Sequence, residues 1–174
     1  MKQFTRIALL CVAALGLGRV THAQTAGLAD DARPGFLSVG GFAGREFDTP
    51  DGLTVGADGR IVLSKADLEL NPRLTFRPID GGSAQQIDVN VLSNYRLNNP
   101  GRFRPYSGVG VGIRTLRSDS GGSNSDIGLN LISGVRLAMR PGAAYEPFLQ
   151  AQYTLVKEPA NSFTVVFGAS FSFR

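Results

Sequence analysis

Acidic residues and arginines recur at alternate positions in short segments of this chain, with apolar residues between them. Glu69 and Arg73, for example, share one face of a segment whose other face carries Leu70 and Leu74. Successive side chains of a β-strand point to opposite faces, so this spacing collects the charges on one side. A face that mixes both signs with glycines and amides suits the narrow interior of a small barrel, where buried charges must be paired. We therefore predict a lumen polar network formed by Glu69, Arg73, Asp88, Arg96, Arg114 and Arg136.

Catalytic chemistry has little support in the composition. Histidine, the commonest general acid or base, occurs once, as His22, in a segment that we expect to be removed. Nucleophilic Ser–His and Cys–His arrangements are thereby excluded from the mature chain. Asp119 and Asp126 lie in a Ser/Gly-rich stretch, where acids are usually only solvated. We predict that the chain is not an enzyme and has no catalytic, cofactor-binding or metal-binding residues.

The first 23 residues have the composition of a secretory signal peptide. Lys2 and Arg6 precede an apolar run over 7–17, and the segment ends on small residues before a cleavage site that we place after Ala23. Removing Lys2, Arg6 and Arg19 leaves 15 of the 18 basic residues against 14 acids, a net charge of +1. The mature chain therefore lacks the basic excess that a nucleic-acid partner would require.

The remainder reads as a short extension over 24–34 followed by alternating segments over 35–174. No stretch reaches the ~20 apolar residues of a membrane helix. Asp58–Gly59 weakens the second segment and leaves its placement between 47 and 66 open, and Pro72 predicts a bulge in the third. Because eight is the smallest even number of strands that closes a membrane barrel, we predict an all-β fold, a single antiparallel up-and-down transmembrane barrel of eight strands. The predicted strands are 35–44, 53–63, 67–77, 86–97, 103–116, 127–139, 146–156 and 162–174.

Alternation alone does not say which face of the barrel is apolar. A membrane barrel turns its apolar side outward, whereas a soluble lipocalin-like lipid-binding barrel turns it inward. The large Phe, Leu, Ile and Val residues of one face and the aromatic final strand favour the membrane barrel, and a narrow pore is a further alternative. Hairpins over 78–85 and 117–126 would face outward, the second as a long loop. Aromatic residues near the opposite strand ends predict a periplasmic girdle of Tyr95, Phe103, Tyr106, Tyr145 and Phe148.

The run over 103–112 (FRPYSGVGVG), the run over 145–148 (YEPF) and the aromatic C-terminal strand resemble the OmpA/OmpX-like superfamily of small outer-membrane β-barrel proteins. The resemblance implies the outer membrane of a Gram-negative bacterium, with outer-membrane lipid and lipopolysaccharide as partners. It also implies recognition of the last strand, through Phe167, Phe171 and Phe173, by the barrel-assembly machinery, although Arg174 follows where the family usually ends on Phe. We expect a monomeric, non-enzymatic barrel that contributes to envelope integrity or surface interaction.

Overall fold

Eight antiparallel strands form a closed barrel in the computed structural model, each paired with its neighbour in sequence and β1 paired with β8. The structure describes residues 37–47, 51–63, 68–95, 102–139, 144–156 and 161–172. The predicted signal peptide, the extension over 24–34, Arg96 and Phe173 lie outside the described residues. No helix long and apolar enough to cross a membrane occurs in this described part. The strands are β1 (Leu37–Glu46), β2 (Gly52–Leu63), β3 (Leu68–Ile79), β4 (Gly82–Asn94), β5 (Phe103–Ser118), β6 (Ser123–Leu137), β7 (Tyr145–Val156) and β8 (Ser162–Ser172).

The outer face of the barrel is apolar and the inner face is polar. On β5, Val109, Val111 and Ile113 are more than half exposed, while the alternate positions face the lumen. The same outward row continues on other strands through large aliphatic and aromatic residues such as Ile87 and Leu129. A soluble barrel would bury these side chains, so the lipocalin-like alternative is wrong. An apolar outer band around a polar interior is the arrangement that a transmembrane β-barrel requires.

The second strand is regular, and Asp58–Gly59 does not interrupt it as the sequence suggested. The Oδ2 of Asp58 accepts hydrogen bonds from Arg60 Nε at 3.0 Å and Asn71 Nδ2 at 3.1 Å, so this residue is an inward-facing strand position. The bulge expected at Pro72 is also absent, because β2 and β3 keep one register on both sides of it. Proline has no N–H to donate, and Asn71 Nδ2 donates instead to the carbonyl of Gly59 on β2 at 2.8 Å. A lumen side chain thus replaces the missing backbone donor.

The two ends of the barrel differ in their connections. Ser38 of β1 pairs with Ser172 of β8, so both described chain ends lie at one end, which we call the terminal end. The opposite end, the hairpin end, carries the connections from β1 to β2, β3 to β4, β5 to β6 and β7 to β8. The predicted loop over 117–126 is much shorter than expected, because β5 continues to Ser118 and β6 begins at Ser123. Gly121, at φ 98°, allows this tight turn.

Candidate functional site

The lumen at the hairpin end contains one carboxylate shared by two arginines. Glu46 Oε1 lies 3.0 Å from Arg77 Nη1 and 2.8 Å from Arg114 Nη2. The three residues come from β1, β3 and β5, so this cluster links strands that are not neighbours in the barrel wall. Glu46 and Arg77 are buried, and Arg114 is nearly so. A carboxylate that pairs with two guanidinium groups links three strands at the hairpin end of the lumen.

A single chain of side-chain hydrogen bonds crosses the middle of the lumen, and every bond in it runs in the same direction. It starts at Arg73, whose Nη1 donates to Gln152 Oε1 at 3.1 Å. The chain ends at the carboxylate of Asp58. Donors aligned from a cation to an anion polarise one another, which strengthens each bond. Between these ends the donated bonds pass through Gln152, Thr154, Asn130, Asn90 and Asn71 in turn.

Asp88 forms a branch of this chain. Its Oδ1 accepts from Asn130 Nδ2 at 2.8 Å and from Gln86 Nε2 at 2.8 Å. The space for this carboxylate comes from Gly112 on β5, because a Cβ there would collide with Asp88 Oδ1. Gly110 on the same strand makes room in the same way for the side chain of Asn90 on β4.

The terminal end of the lumen holds a bidentate ion pair. Arg136 donates to the two carboxylate oxygens of Glu69, from Nη1 at 2.8 Å and from Nη2 at 2.5 Å. Asn94 Nδ2 adds a third donor at 3.0 Å. The guanidinium of Arg136 also lies 4.7 Å from the ring centroid of Tyr106. Parallel N–H donors on a buried carboxylate are the strongest form of this interaction.

Between the middle chain and this ion pair, side chains from opposite walls meet across the lumen. The guanidinium of Arg60 lies over the ring of Phe148 at 4.7 Å and the ring of Tyr106 at 5.5 Å. Such cation–π contacts provide a partner for a guanidinium where water is excluded. Each ring belongs to a buried apolar cluster, one with Phe42 and Val166 and the other with Leu92 and Ile132. The lumen is thus packed with aromatic and aliphatic groups at this level, as well as with polar ones.

The predicted lumen residues can now be compared with their positions. Glu69, Arg73, Asp88 and Arg136 are buried in the lumen, Arg114 lies at its hairpin end, and Arg96 is outside the described residues. The prediction missed four other buried charges on the same inner face. Continuing the alternation of β1 and β2 would have found three of them, and the inward face of β3 the fourth. The missed residues are Glu46, Asp58, Arg60 and Arg77.

The predicted aromatic girdle requires a correction. Tyr106 and Phe148 are buried in the lumen and do not face the membrane. Both occupy inward positions of their strands, and Gly134 leaves the space that the Tyr106 ring fills. Nearness to a strand end therefore did not determine their orientation. Phe103 and Tyr145 do face outward, and Tyr95, half-buried, shares a hydrogen bond of 2.7 Å with Ser107.

The last strand presents aromatic residues to the outside at both of its ends. Phe171 is exposed and lies 6.4 Å from the ring of Tyr145 at the terminal end. Phe163 lies 5.9 Å from the ring of Phe47 at the hairpin end. Phe167, between them, is also exposed, and Phe173 lies outside the described residues. Aromatic rings at two levels of an apolar surface are typical of the two interfaces of a membrane barrel.

No protein-family model and no curated protein sequence matches the chain. Solved structures do match in fold. The N-terminal barrel domain of OprF from Pseudomonas aeruginosa superimposes with a TM-score of 0.65 at 15% identity, covering 80% of this chain and 98% of that domain. The Neisserial surface protein NspA gives 0.60 at 13% identity, covering 79% and 96%. The outer-membrane enzyme PagL gives 0.50 at 11% identity, covering 78% and 99%. The chain therefore shares the barrel fold of these solved structures, here a closed antiparallel barrel of eight strands as the sequence predicted.

Proposed function

We propose that this chain is a non-enzymatic outer-membrane barrel with a closed lumen, and that its contribution is to envelope integrity or to interaction at the cell surface. The observation that carries the proposal is the polarity of the barrel wall, apolar outside and charged inside. In water this arrangement would expose a continuous apolar band, whereas in a bilayer the same band is the stable one. The fold shared with outer-membrane barrels supports the same location.

The packed lumen favours a structural barrel over the alternative, a narrow pore. An ion moving along the axis would have to pass the Arg60 layer, where rings from opposite walls contact one guanidinium. It would also have to separate Glu46 from two arginines. Breaking such buried pairs costs several kcal/mol each, on the order of 3–5. We expect no conductance above background in planar bilayers, and stable single-channel steps from purified barrel would contradict the closed lumen.

The fold does not decide whether the chain is an enzyme, because the enzyme PagL has the same fold. Our proposal of a non-enzymatic barrel therefore depends on the composition of the chain. The only histidine of the chain, His22, lies in the predicted signal peptide. We expect the barrel-assembly machinery to recognise β8 during insertion, and lipid and lipopolysaccharide to surround the mature barrel. We further propose that the barrel is monomeric. The terminal end would face the periplasm and the hairpin end would face outward, because both chain ends then stay on the periplasmic side and only hairpins cross the membrane.

The proposal is tested by recovering the full chain from membrane fractions of expressing cells and comparing its electrophoretic migration before and after boiling. The closed ladder of backbone hydrogen bonds keeps the barrel folded in detergent, so the electrophoretic migration of the protein changes only after heating. We expect the protein in the outer-membrane fraction with a heat-dependent shift. Recovery in the soluble periplasm without a shift would contradict the proposal.

A further inference from the structure

Arg45 is a charged side chain on the lipid-facing side of the barrel. It occupies an outward position of β1, and its neighbours in register are Leu53 on β2 and Val165 on β8. Its side chain is 60% exposed, so neither the lumen nor the wall neutralises it. Arginine on the lipid face of a membrane barrel is destabilising near the midplane and nearly neutral only at the interface. A cation with apolar neighbours on both strands therefore needs an anion at the membrane boundary.

Asp51 supplies one such anion. Arg45 donates to both carboxylate oxygens of Asp51, from Nε at 2.9 Å and from Nη2 at 2.6 Å. This geometry shows that the guanidinium fork points toward the hairpin end, with two parallel donors available to a planar or tetrahedral oxyanion. The carboxylate belongs to the turn after β1 and is itself 45% exposed, so it can be displaced at little cost.

Aromatic rings flank the same position. The ring centroid of Phe47 lies 6.0 Å from the guanidinium carbon of Arg45 and 5.9 Å from the ring centroid of Phe163. Aromatic side chains concentrate where acyl chains meet headgroups, so the pair marks the level of the interface at the hairpin end. Arg117 differs in this respect. It is also outward and near the hairpin end, but its neighbours in register are serines, which puts it above the apolar band.

We propose that Arg45 binds a phosphate group of an anionic lipid in the outer leaflet, with Asp51 as the internal group that the phosphate displaces and the Phe47–Phe163 pair packing against the lipid. The inference rests on the proposed function, because it requires a membrane barrel whose hairpin end faces outward. The phosphate source is the lipid, since apolar neighbours on both sides make the position accessible from the bilayer. Arginine pairs well with phosphate because its fork matches two oxygens at once.

The test uses the full barrel in mixed micelles of a neutral detergent and lipid A, a glucosamine lipid with phosphate groups, and native mass spectrometry counts the lipids bound to each barrel. Arg45→Gln should weaken lipid A binding about tenfold, the value of one charge-assisted contact. Asp51→Asn should have the opposite effect and tighten it about two- to fivefold, because it removes a weak exposed competitor. Arg117→Gln is the matched control and should change binding less than about twofold.

The opposite signs of the two variants separate phosphate binding from a general effect on folding. Equal binding by Arg45→Gln and the unmodified chain, or weaker binding by Asp51→Asn, would overturn the proposal. Lipid A without its phosphates should lose the difference between the variants, and inorganic phosphate should not compete at concentrations similar to the lipid. Competition by inorganic phosphate would overturn the assignment to a lipid. A heat-dependent shift in every variant would show that the barrel itself is intact, so that a failure concerns Arg45 alone.

Discussion

Replacing Glu69 by glutamine removes the negative charge from the ion pair at the terminal end of the lumen. Arg136 then keeps its positive charge in a site where its side chain is 8% exposed and Glu69 was its only ion-pair partner among the described residues. Breaking one partner of a buried pair costs ~3–5 kcal/mol of unfolding free energy. At about 1.4 kcal/mol for each factor of ten, the unfolding equilibrium constant rises roughly a hundredfold to a few thousandfold.

The chain contains its own control for this prediction. Arg45 also donates two hydrogen bonds to one carboxylate, that of Asp51, but on the exposed surface. The midpoint of urea unfolding in detergent can be measured for both variants under one condition, with the heat-dependent electrophoretic shift as the signal of the folded barrel. We expect Glu69→Gln to lower the midpoint strongly and Asp51→Asn to leave it unchanged within error, because water already screens the exposed pair. Equal effects of the two changes would refute the conclusion that the lumen is desolvated.

A double variant separates charge pairing from packing. Glu69→Met combined with Arg136→Met removes both charges and fills the space with apolar groups of similar length. Apolar replacement of a whole buried pair is often neutral or stabilising, whereas loss of one partner is not. The double variant should therefore be more stable than Glu69→Gln alone. If the double variant is less stable than Glu69→Gln, apolar packing cannot replace the ion pair, and this reasoning is wrong.

Three further outcomes follow from the lumen and from the hairpin end. Asn71→Leu should lower the free energy of unfolding in urea by ~1–3 kcal/mol. The loss should be smaller when Pro72→Ala restores a backbone N–H at position 72. Additive effects of the two changes would contradict the conclusion that the Asn71 side chain replaces that backbone donor. Gly134→Val should cost ~1–3 kcal/mol because its Cβ meets a buried tyrosine ring, whereas Gly122→Ala, which meets nothing, should not change the midpoint. The pKa of the Asp51 carboxyl, measured by NMR, should lie below that of an ordinary aspartate, because the hydrogen bond from Arg45 lowers it. The Arg45–Asp51 pair should therefore be present at neutral pH and be lost as the pH falls through that pKa. An ordinary aspartate pKa would contradict the pairing.

The strand pattern was predictable because alternation is a local property. Six alternating segments, the final aromatic strand among them, were clearly recognisable and the first two less so, and the polarity of the faces was correct at positions such as Val109 and Arg73. The errors came from residue types that are usually local signals. Asp58–Gly59 looked like a break in the second strand, but Asn71 on β3 donates a hydrogen bond to the Asp58 carboxylate and the strand continues. Pro72 looked like a bulge, but a lumen amide supplies the donor that proline lacks.

The composition of the lumen was predictable only in part, because pairing depends on register and on the closure of the barrel. Sequence alternation placed Glu69 and Arg136 on inner faces, yet their contact joins β3 to β6 across the lumen. Two bonds of the middle chain likewise join strands that are not neighbours, Arg73 on β3 to Gln152 on β7 and Asn130 on β6 to Asn90 on β4. Tyr106 could have been placed correctly from alternation alone. Val109 faces outward on the same strand, so a residue three positions away faces inward, whatever its aromatic character.

The most direct test of the membrane barrel places a fluorescent label at one lipid-facing position. The only cysteine of the chain, Cys11, lies in the predicted signal peptide, so Val111→Cys provides a single attachment point in the mature barrel. Ser125, an exposed position near the hairpin end, gives the matched control as Ser125→Cys. We predict that brominated lipid quenches the label at 111 much more than the label at 125, and that aqueous iodide does the reverse. Iodide quenching at 111 with no effect of brominated lipid would contradict a barrel whose apolar face lies in the bilayer.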